Sequence, residues 1–181
     1  MDMNKKGAEY TGICYIGVSA NLNPERNILR VLDRLNNLFS LTGISRFYRT
    51  KAIDGSEQPD YLNGAVAIIY SGVVRDLKYN VLRKIESQMG RERSKDAYAA
   101  RPIDLDILLC GDAVIREPGL VVPDPDIRQR PFLMAALLDL NPEMVLPDTR
   151  FSLKGLDRTP ELKQLQVARS FTLAVHERFT K

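Results

Sequence analysis

Apolar residues follow two different spacings along this chain, and the order of those spacings limits the fold. Continuous or alternating apolar runs, typical of strands, occupy 13–18, 43–50, 61–70 and 102–110, with shorter ones within 113–122. Apolar residues three or four apart, typical of helices, recur over 24–40, 77–89 and 131–140, with a weaker pattern at about 160–170. Because strands and helices do not alternate strictly, we expect an α+β fold with helices packed on a sheet.

Length and composition favour one soluble domain spanning residues 1–181. Hydrophobic residues make up 44% and charged residues 27% of the chain, which is a globular composition. The formal net charge of +3 permits an anionic ligand without requiring nucleic acid. No apolar run approaches the roughly 18–20 residues that cross a bilayer, and no signal peptide follows Met1. We therefore expect a cytoplasmic monomer that binds neither nucleic acid nor membrane.

The cysteines and the histidine suggest no metal or triad chemistry. Cys14 and Cys110 each lie in an apolar run, where we expect buried free thiols in a reducing compartment. With His176 as the single histidine, the chain has little material for a zinc site or a His-dependent triad.

The stretch 101–109 carries the strongest chemical signal. On a strand, Asp104 and Asp106 share one face, with their Cβ atoms roughly 6.5–7 Å apart. At an effective dielectric constant of about 20, the two carboxylates repel each other by about 2 kcal/mol, which a cation would relieve. Oxygen ligands without nearby His or Cys favour Mg²⁺. The alternative is an edge strand whose polar face is simply solvated.

Basic residues are dense just before this strand, and two polar segments at 51–60 and 91–100 are expected to be surface loops. Arginines beside metal-binding carboxylates suit a triphosphate, although a solvated charged loop has the same composition. The chain contains neither a Walker A sequence nor G-x-G-x-x-G. A nucleotide site would therefore be built from side chains and metal ions.

Several ordered motifs together make a resemblance specific. They are Phe47-Tyr48-Arg49-Thr50, Gln58-Pro59-Asp60-Tyr61-Leu62-Asn63, Ile85-Glu86, Gly90-Arg91-x-Arg93, Arg101-x-x-Asp104-Leu105-Asp106-Ile107 and Arg130-x-Phe132. In this order and spacing the chain resembles the 6-hydroxymethyl-7,8-dihydropterin pyrophosphokinase family of folate biosynthesis. The resemblance implies a family-like core at about 12–150 with an extension at 151–181. It also implies a ferredoxin-like, mainly antiparallel sheet flanked by helices, with mobile loops over the active site.

The resemblance implies a reaction and a set of site residues. The β,γ-pyrophosphoryl group of MgATP would pass to the hydroxymethyl oxygen of the pterin, releasing AMP. Asp104 and Asp106 would hold two Mg²⁺ ions, and Arg91, Arg93 and Arg101 would be catalytic. The ATP site would comprise Arg83, Glu86, Arg91, Arg93, Arg101, Ile107 and Arg130. The pterin site would comprise Thr50, Ile53, Tyr61, Asn63, Tyr98 and Phe132.

The pterin assignment has independent physical support, since aromatic faces suit a flat ring and an Asn amide matches a donor–acceptor edge. Tyr61 and Phe132 could equally be ordinary core aromatics.

Three departures from the family pattern leave other functions open. Ser19-Ala20 stands at the family's early Gly-Ser, Ala99-Ala100 at its Gly-Pro, and Asp124 at its histidine. An anion at position 124 would weaken ATP binding, so a pterin-binding relative with reduced or lost ATP use is one alternative. A ferredoxin-like nucleic-acid-binding domain is another, although no aromatic RNA-binding strand motif is present.

Overall fold

A computed structural model describes residues 9–52, 55–91, 99–155 and 159–179. Its main sheet has the strand order β5-β1-β4-β3-β8, with β2 also paired to β4, and every pairing is antiparallel. These strands are β1 Glu9–Ala20, β2 Ser40–Ile44, β3 Tyr48–Thr50, β4 Tyr61–Val73, β5 Asp104–Cys110 and β8 Gln166–Val167. A separate two-stranded sheet pairs β6 Ile115–Glu117 with β7 Leu120–Val122.

Helices cover both faces of the main sheet. They are α1 Pro24–Leu38, α2 in three consecutive segments (Val74–Asp76, Leu77–Leu82 and Arg83–Gln88), α3 Asp126–Gln129, α4 Pro131–Leu140, α5 Thr159–Lys163 and α6 Arg169–Phe179. One hydrophobic cluster joins the sheet to α1, α2 and α6, and a second joins the opposite face to α4. The α+β, mainly antiparallel architecture expected from the sequence is confirmed. Within the described residues, no helix is long and apolar enough to cross a bilayer.

The single strand predicted over 43–50 is two strands that both pair with β4. Ser45 interrupts them: its backbone N–H donates to Ala65 O, and its side-chain Oγ accepts from Ala65 N. Phe47 packs in the same hydrophobic cluster as Ile44, and the absence of a side chain on Gly64 makes room for its ring. A Cβ on Gly64 would lie 2.7 Å from Phe47 Cδ1, so the break depends on a contact between strands.

The middle of α2 is a π-helix, Leu77–Leu82. The sequence predicted a four-residue stripe through Leu77, Val81 and Ile85. The wider turn instead buries Leu82 fully, while Val81 stays half-buried. A π turn contains one more residue than an α turn, which moves every later side chain around the axis.

The C-terminal segment differs from the prediction of one helix at about 160–170. The helix α5 is shorter, and the unpredicted strand β8 and helix α6 follow it. Ala168 N donates to Phe47 O, Thr172 Oγ1 accepts from Phe47 N, and the Phe171 ring lies 5.2 Å from that of Phe47. The segment thus packs against the residues that lead into β3.

The prediction of free thiols is wrong. Cys14 on β1 and Cys110 on β5 lie opposite each other, with Cα atoms 4.1 Å apart, and form a disulfide. Both residues are fully buried, as expected. The sequence could not show this pairing because 96 positions separate the two cysteines and only the strand register brings them together. The cytoplasmic location, which was partly inferred from reduced thiols, stays a prediction.

Candidate active site

A cavity of about 380 Å³ opens on the sheet face that carries α4. Most of the site residues expected from the sequence line it: Thr50, Tyr61, Asn63, Arg91, Arg101, Asp104, Asp106, Arg130 and Phe132. They come from β3, β4, β5, α4 and the segments that flank α2 and α4. The antiparallel sheet brings these segments, which are far apart in sequence, to one concave surface.

Asp104 and Asp106 project into this cavity from β5, as strand alternation predicted. Leu105 and Ile107, between and after them, belong to the hydrophobic cluster on the other face. The pairing with β1 shifts by one residue between Tyr15 and Ile16, and Leu108 also faces the cavity. The strand β5 is an edge strand of the main sheet, and Asp104 is its first residue. The two side chains are nevertheless only 18% and 47% exposed, so both carboxylates face a cleft that is partly closed to water.

Cationic side chains neutralise both carboxylates. Arg91 and Arg101 contact Asp104, the latter through Nη1 to Oδ2 at 2.5 Å. Lys78 Nζ lies 2.5 Å from Asp106 Oδ1. Within the described residues, no three His, Cys, Asp or Glu side chains form a metal-binding group. A metal ion here would therefore need ligands from a bound molecule or water in addition to the two aspartates.

Glu86 lies beneath the cavity and does not line it. Its side chain is almost fully buried, accepts the Leu105 backbone N–H at 2.7 Å, and contacts Arg91. Burial raises the pKa of the Glu86 carboxyl, while Arg91 and the Leu105 N–H act in the opposite direction. Glu86 therefore positions both the strand that carries the aspartates and the arginine beside them.

Asn63 on β4 has its side-chain amide held at both ends. Its Oδ1 accepts from Ser19 Oγ at 2.7 Å, and its Nδ2 donates to Thr50 Oγ1 at 2.9 Å. Tyr61 and Phe132 also line the cavity. The amide thus has a defined orientation in a cavity that two aromatic residues also line.

Asn21 links Arg101, before β5, to Gln58, before β4. Its Oδ1 accepts the Arg101 backbone N–H at 2.7 Å, and its Nδ2 donates to Gln58 Oε1 at 3.0 Å. The side chain is 1% exposed. This buried amide, with a partner on each side, holds the Arg101 backbone close to Gln58.

The family model described as 7,8-dihydro-6-hydroxymethylpterin-pyrophosphokinase (HPPK) matches residues 15–142. The chain belongs to the HPPK family. The matched region contains every residue that lines the cavity.

Similar curated proteins agree with this assignment. A 2-amino-4-hydroxy-6-hydroxymethyldihydropteridine pyrophosphokinase from Haemophilus influenzae is 34% identical over 140 residues, covering 75% of this chain and 86% of that protein. One of the same description from Aquifex aeolicus is 33% identical over 151 residues, covering 82% and 92%. A folate synthesis bifunctional protein from Arabidopsis thaliana is 36% identical over 127 residues, covering 69% of this chain and 26% of that longer protein.

Three residues expected to bind ATP lie outside the lining of the main cavity. Glu86 is beneath it, and Arg83 stacks over the Tyr79 ring with its guanidinium carbon 4.1 Å from the ring centre. Ile107 lines a second cavity of about 210 Å³. The HPPK assignments of Ile53, Arg93 and Tyr98 fall outside the described residues. The roles of these six residues stay predictions, as do those of the expected site residues that line the main cavity.

The second cavity reveals residues that the sequence did not assign to the site. They are Asp124 and Asp126, which line both cavities together with Asp106, and Lys78, which lines the second. Burial raises the pKa of Asp124 to about 6, and the nearby negative charges of Asp106 and Asp126 add to this. Asp124 stood out as a departure from the HPPK pattern. Lys78 had no such signal, since an α-helical stripe gives no reason to place it at Asp106.

Proposed function

We propose that this HPPK family member transfers the β,γ-pyrophosphoryl group of ATP to the hydroxymethyl oxygen of 6-hydroxymethyl-7,8-dihydropterin, in folate biosynthesis. The oxygen–β-phosphorus bond forms, the bond between β-phosphorus and the α–β bridging oxygen breaks, and AMP leaves with that oxygen and its electron pair. The hydroxyl proton is released. The observation that carries the proposal is that Asp104 and Asp106 share one cavity with Thr50, Asn63 and Phe132.

The pterin would occupy the end of the cavity formed by Thr50, Tyr61, Asn63 and Phe132. A flat heteroaromatic ring gains contact area against the aromatic side chains, and the oriented Asn63 amide can recognise its polar edge. The hydrogen bonds from Ser19 and to Thr50 hold that amide before the ligand arrives. By family resemblance, Ile53 and Tyr98 would complete this subsite.

ATP would extend from the aspartates toward the second cavity, because the two cavities meet at Asp106 and Asp124. Ile107 offers an apolar surface there. Arg91, Arg101 and Arg130 face the main cavity and can donate bidentate hydrogen bonds to phosphate oxygens. Such donors stabilise the charge that builds up during transfer. We assign Arg83, Glu86 and Arg93 to the nucleotide side by resemblance.

Asp104 and Asp106 would hold two Mg²⁺ ions, and the residues present fit this assignment. Both are oxygen donors, and cationic nitrogen atoms already lie within 2.5 Å of their carboxylates. When bound, Mg²⁺ would neutralise phosphate charge and make the β-phosphorus more electrophilic. The aspartates would orient the ions, while the arginines would be free to move to the phosphates.

The test is AMP release that depends on both the pterin and Mg²⁺. Asp104→Asn and Asp106→Asn should each lower turnover at least about a hundredfold while leaving the fold intact, because neutral amides bind Mg²⁺ poorly. Asp112→Asn is the matched control, since Asp112 is exposed in the turn after β5. Pterin binding without AMP release by the wild-type protein would favour the binding-only alternative. Salt-sensitive RNA binding would favour the nucleic-acid alternative.

We also propose that residues 1–181 form one domain that acts as a monomer in the cytoplasm. The contacts of Ala168, Phe171 and Thr172 with Phe47 support the first of these statements, because they join the extension to the sheet.

A further inference from the structure

The π-helical segment of α2 places a lysine on one of the two site aspartates. Lys78 Nζ lies 2.5 Å from Asp106 Oδ1 and 3.3 Å from Leu105 O. The Lys78 side chain is 14% exposed, whereas that of Asp106 is 47% exposed. The lysine therefore approaches from the protein interior, and the open side of Asp106 faces the cavity.

The contact between Lys78 and Asp106 offsets the repulsion between the negative charges of neighbouring aspartates. The negative charge of Asp106 lies close enough to Asp124 to disfavour its ionisation, and Lys78 opposes this effect. Arg91 and Arg101 neutralise Asp104 in the same way. In the free protein the site thus supplies its own counterions, with Lys78 serving Asp106.

A divalent metal ion cannot share Asp106 with this ammonium group without strong repulsion between the two cations. The ammonium is a point charge on a flexible four-carbon chain, so it can leave Asp106 by rotation about side-chain bonds. The second cavity lies beside it and is also lined by Asp124 and Asp126. Phosphate entering that space meets two carboxylates and needs a cation nearby.

We propose that Lys78 is an exchangeable counterion. It holds Asp106 in the free protein, and it moves to a phosphate oxygen of the nucleotide when a metal ion takes its place. This inference rests on the proposed function, since it deepens the nucleotide site of that reaction. It also explains how a chain with Asp124 in this cavity accommodates a polyanion.

The test compares Lys78→Met, Lys78→Arg and the matched control Lys84→Met, which removes an exposed lysine of the same helix. Two affinities are measured: that of Mn²⁺ alone, by electron paramagnetic resonance, and that of the α,β-methylene analogue of ATP with Mg²⁺, by calorimetry. The analogue cannot release AMP. Neither measurement depends on turnover.

Opposite changes are expected in the two affinities. Lys78→Met should bind Mn²⁺ about tenfold more tightly, because Asp106 loses a competing cation, and the analogue about tenfold more weakly. Lys78→Arg should keep both affinities near wild type, and Lys84→Met should change neither. A lysine with only a structural role would weaken both affinities or leave both unchanged, and either result overturns the inference.

The outcomes also separate this inference from the proposed function. If the wild-type protein binds Mn²⁺ and the analogue but Lys78→Met matches it, the counterion role alone is wrong. If the wild-type protein binds neither, the nucleotide site itself is wrong, and the counterion role falls with it. Thermal melting of each variant shows whether it is folded under the conditions of the binding measurements.

Discussion

Leu105 donates its backbone N–H to Glu86 Oε1 at 2.7 Å, from the position between Asp104 and Asp106. A buried side chain on α2 thereby replaces a strand partner for β5 and sets the position of the two aspartates. Arg91 contacts Glu86 as well as Asp104. The buried Glu86 carboxylate therefore orders Arg91 and the strand that carries both aspartates.

Removing Glu86 should destabilise the fold more than neutralising it. In Glu86→Ala the Leu105 N–H is left buried without this acceptor and Arg91 loses a partner, which should cost about 3 kcal/mol of unfolding free energy. Glu86→Gln keeps an acceptor and should cost about 1 kcal/mol. Urea denaturation measures both values. Equal losses for the two variants would show that the hydrogen bond to β5 is unimportant.

Replacing Asn63 should affect the pterin and not the nucleotide. Asn63→Ala removes an oriented amide and leaves Ser19 and Thr50 without this partner, so KM for the pterin should rise about tenfold or more. KM for ATP should change little, since Asn63 belongs to the proposed pterin subsite and does not line the second cavity. Ser71→Ala, an exposed change on the same strand, is the control. A parallel rise in both constants would contradict the assignment of the pterin subsite.

Asp124 should make stability depend on pH. Its pKa is about 6 in the folded protein against 3.8 ordinarily, so the folded state binds the proton more tightly. Its stabilising contribution is complete below about pH 4 and is lost as the pH rises through 6. Asp124→Asn should therefore match the wild type near pH 4 and exceed its unfolding free energy by about 3 kcal/mol at pH 7.

Denaturation in metal-free buffer at several pH values measures this difference, with Asp112→Asn as the control. A constant difference across the pH range would show that the Asp124 pKa is not raised. KM for ATP should fall in Asp124→Asn, because an anion beside the proposed phosphate site is removed.

The C-terminal helix α6 should contribute to stability through Phe171. This side chain is 6% exposed and packs edge-to-face on Phe47. Phe171→Ala should lower the unfolding free energy by about 3 kcal/mol, whereas Leu173→Ala should change it by less than about 0.5 kcal/mol. Leu173 lies on the same helix and is 61% exposed. Indistinguishable denaturation curves for the two variants would mean that α6 does not pack on the sheet.

Features that depend on neighbouring residues could be predicted from the sequence. Strand alternation placed Asp104 and Asp106 together on the cavity side, and the helical spacing predicted α4 with the bounds that the structure has. The β and α periods are properties of the local backbone, so a short window contains the whole signal. The ordered sequence motifs likewise identified the family, since each motif is a short run of neighbouring residues.

Other features depend on which elements become neighbours, and only the tertiary structure decided these. The break at Ser45 requires Ala65 and Gly64 on another strand, and the Cys14–Cys110 bond requires the β1–β5 register. Lys78 reaches Asp106 because α2 lies beside β5, which brings together two residues 28 positions apart. No local period encodes contacts between residues many positions apart, because they follow from the packing of the whole chain.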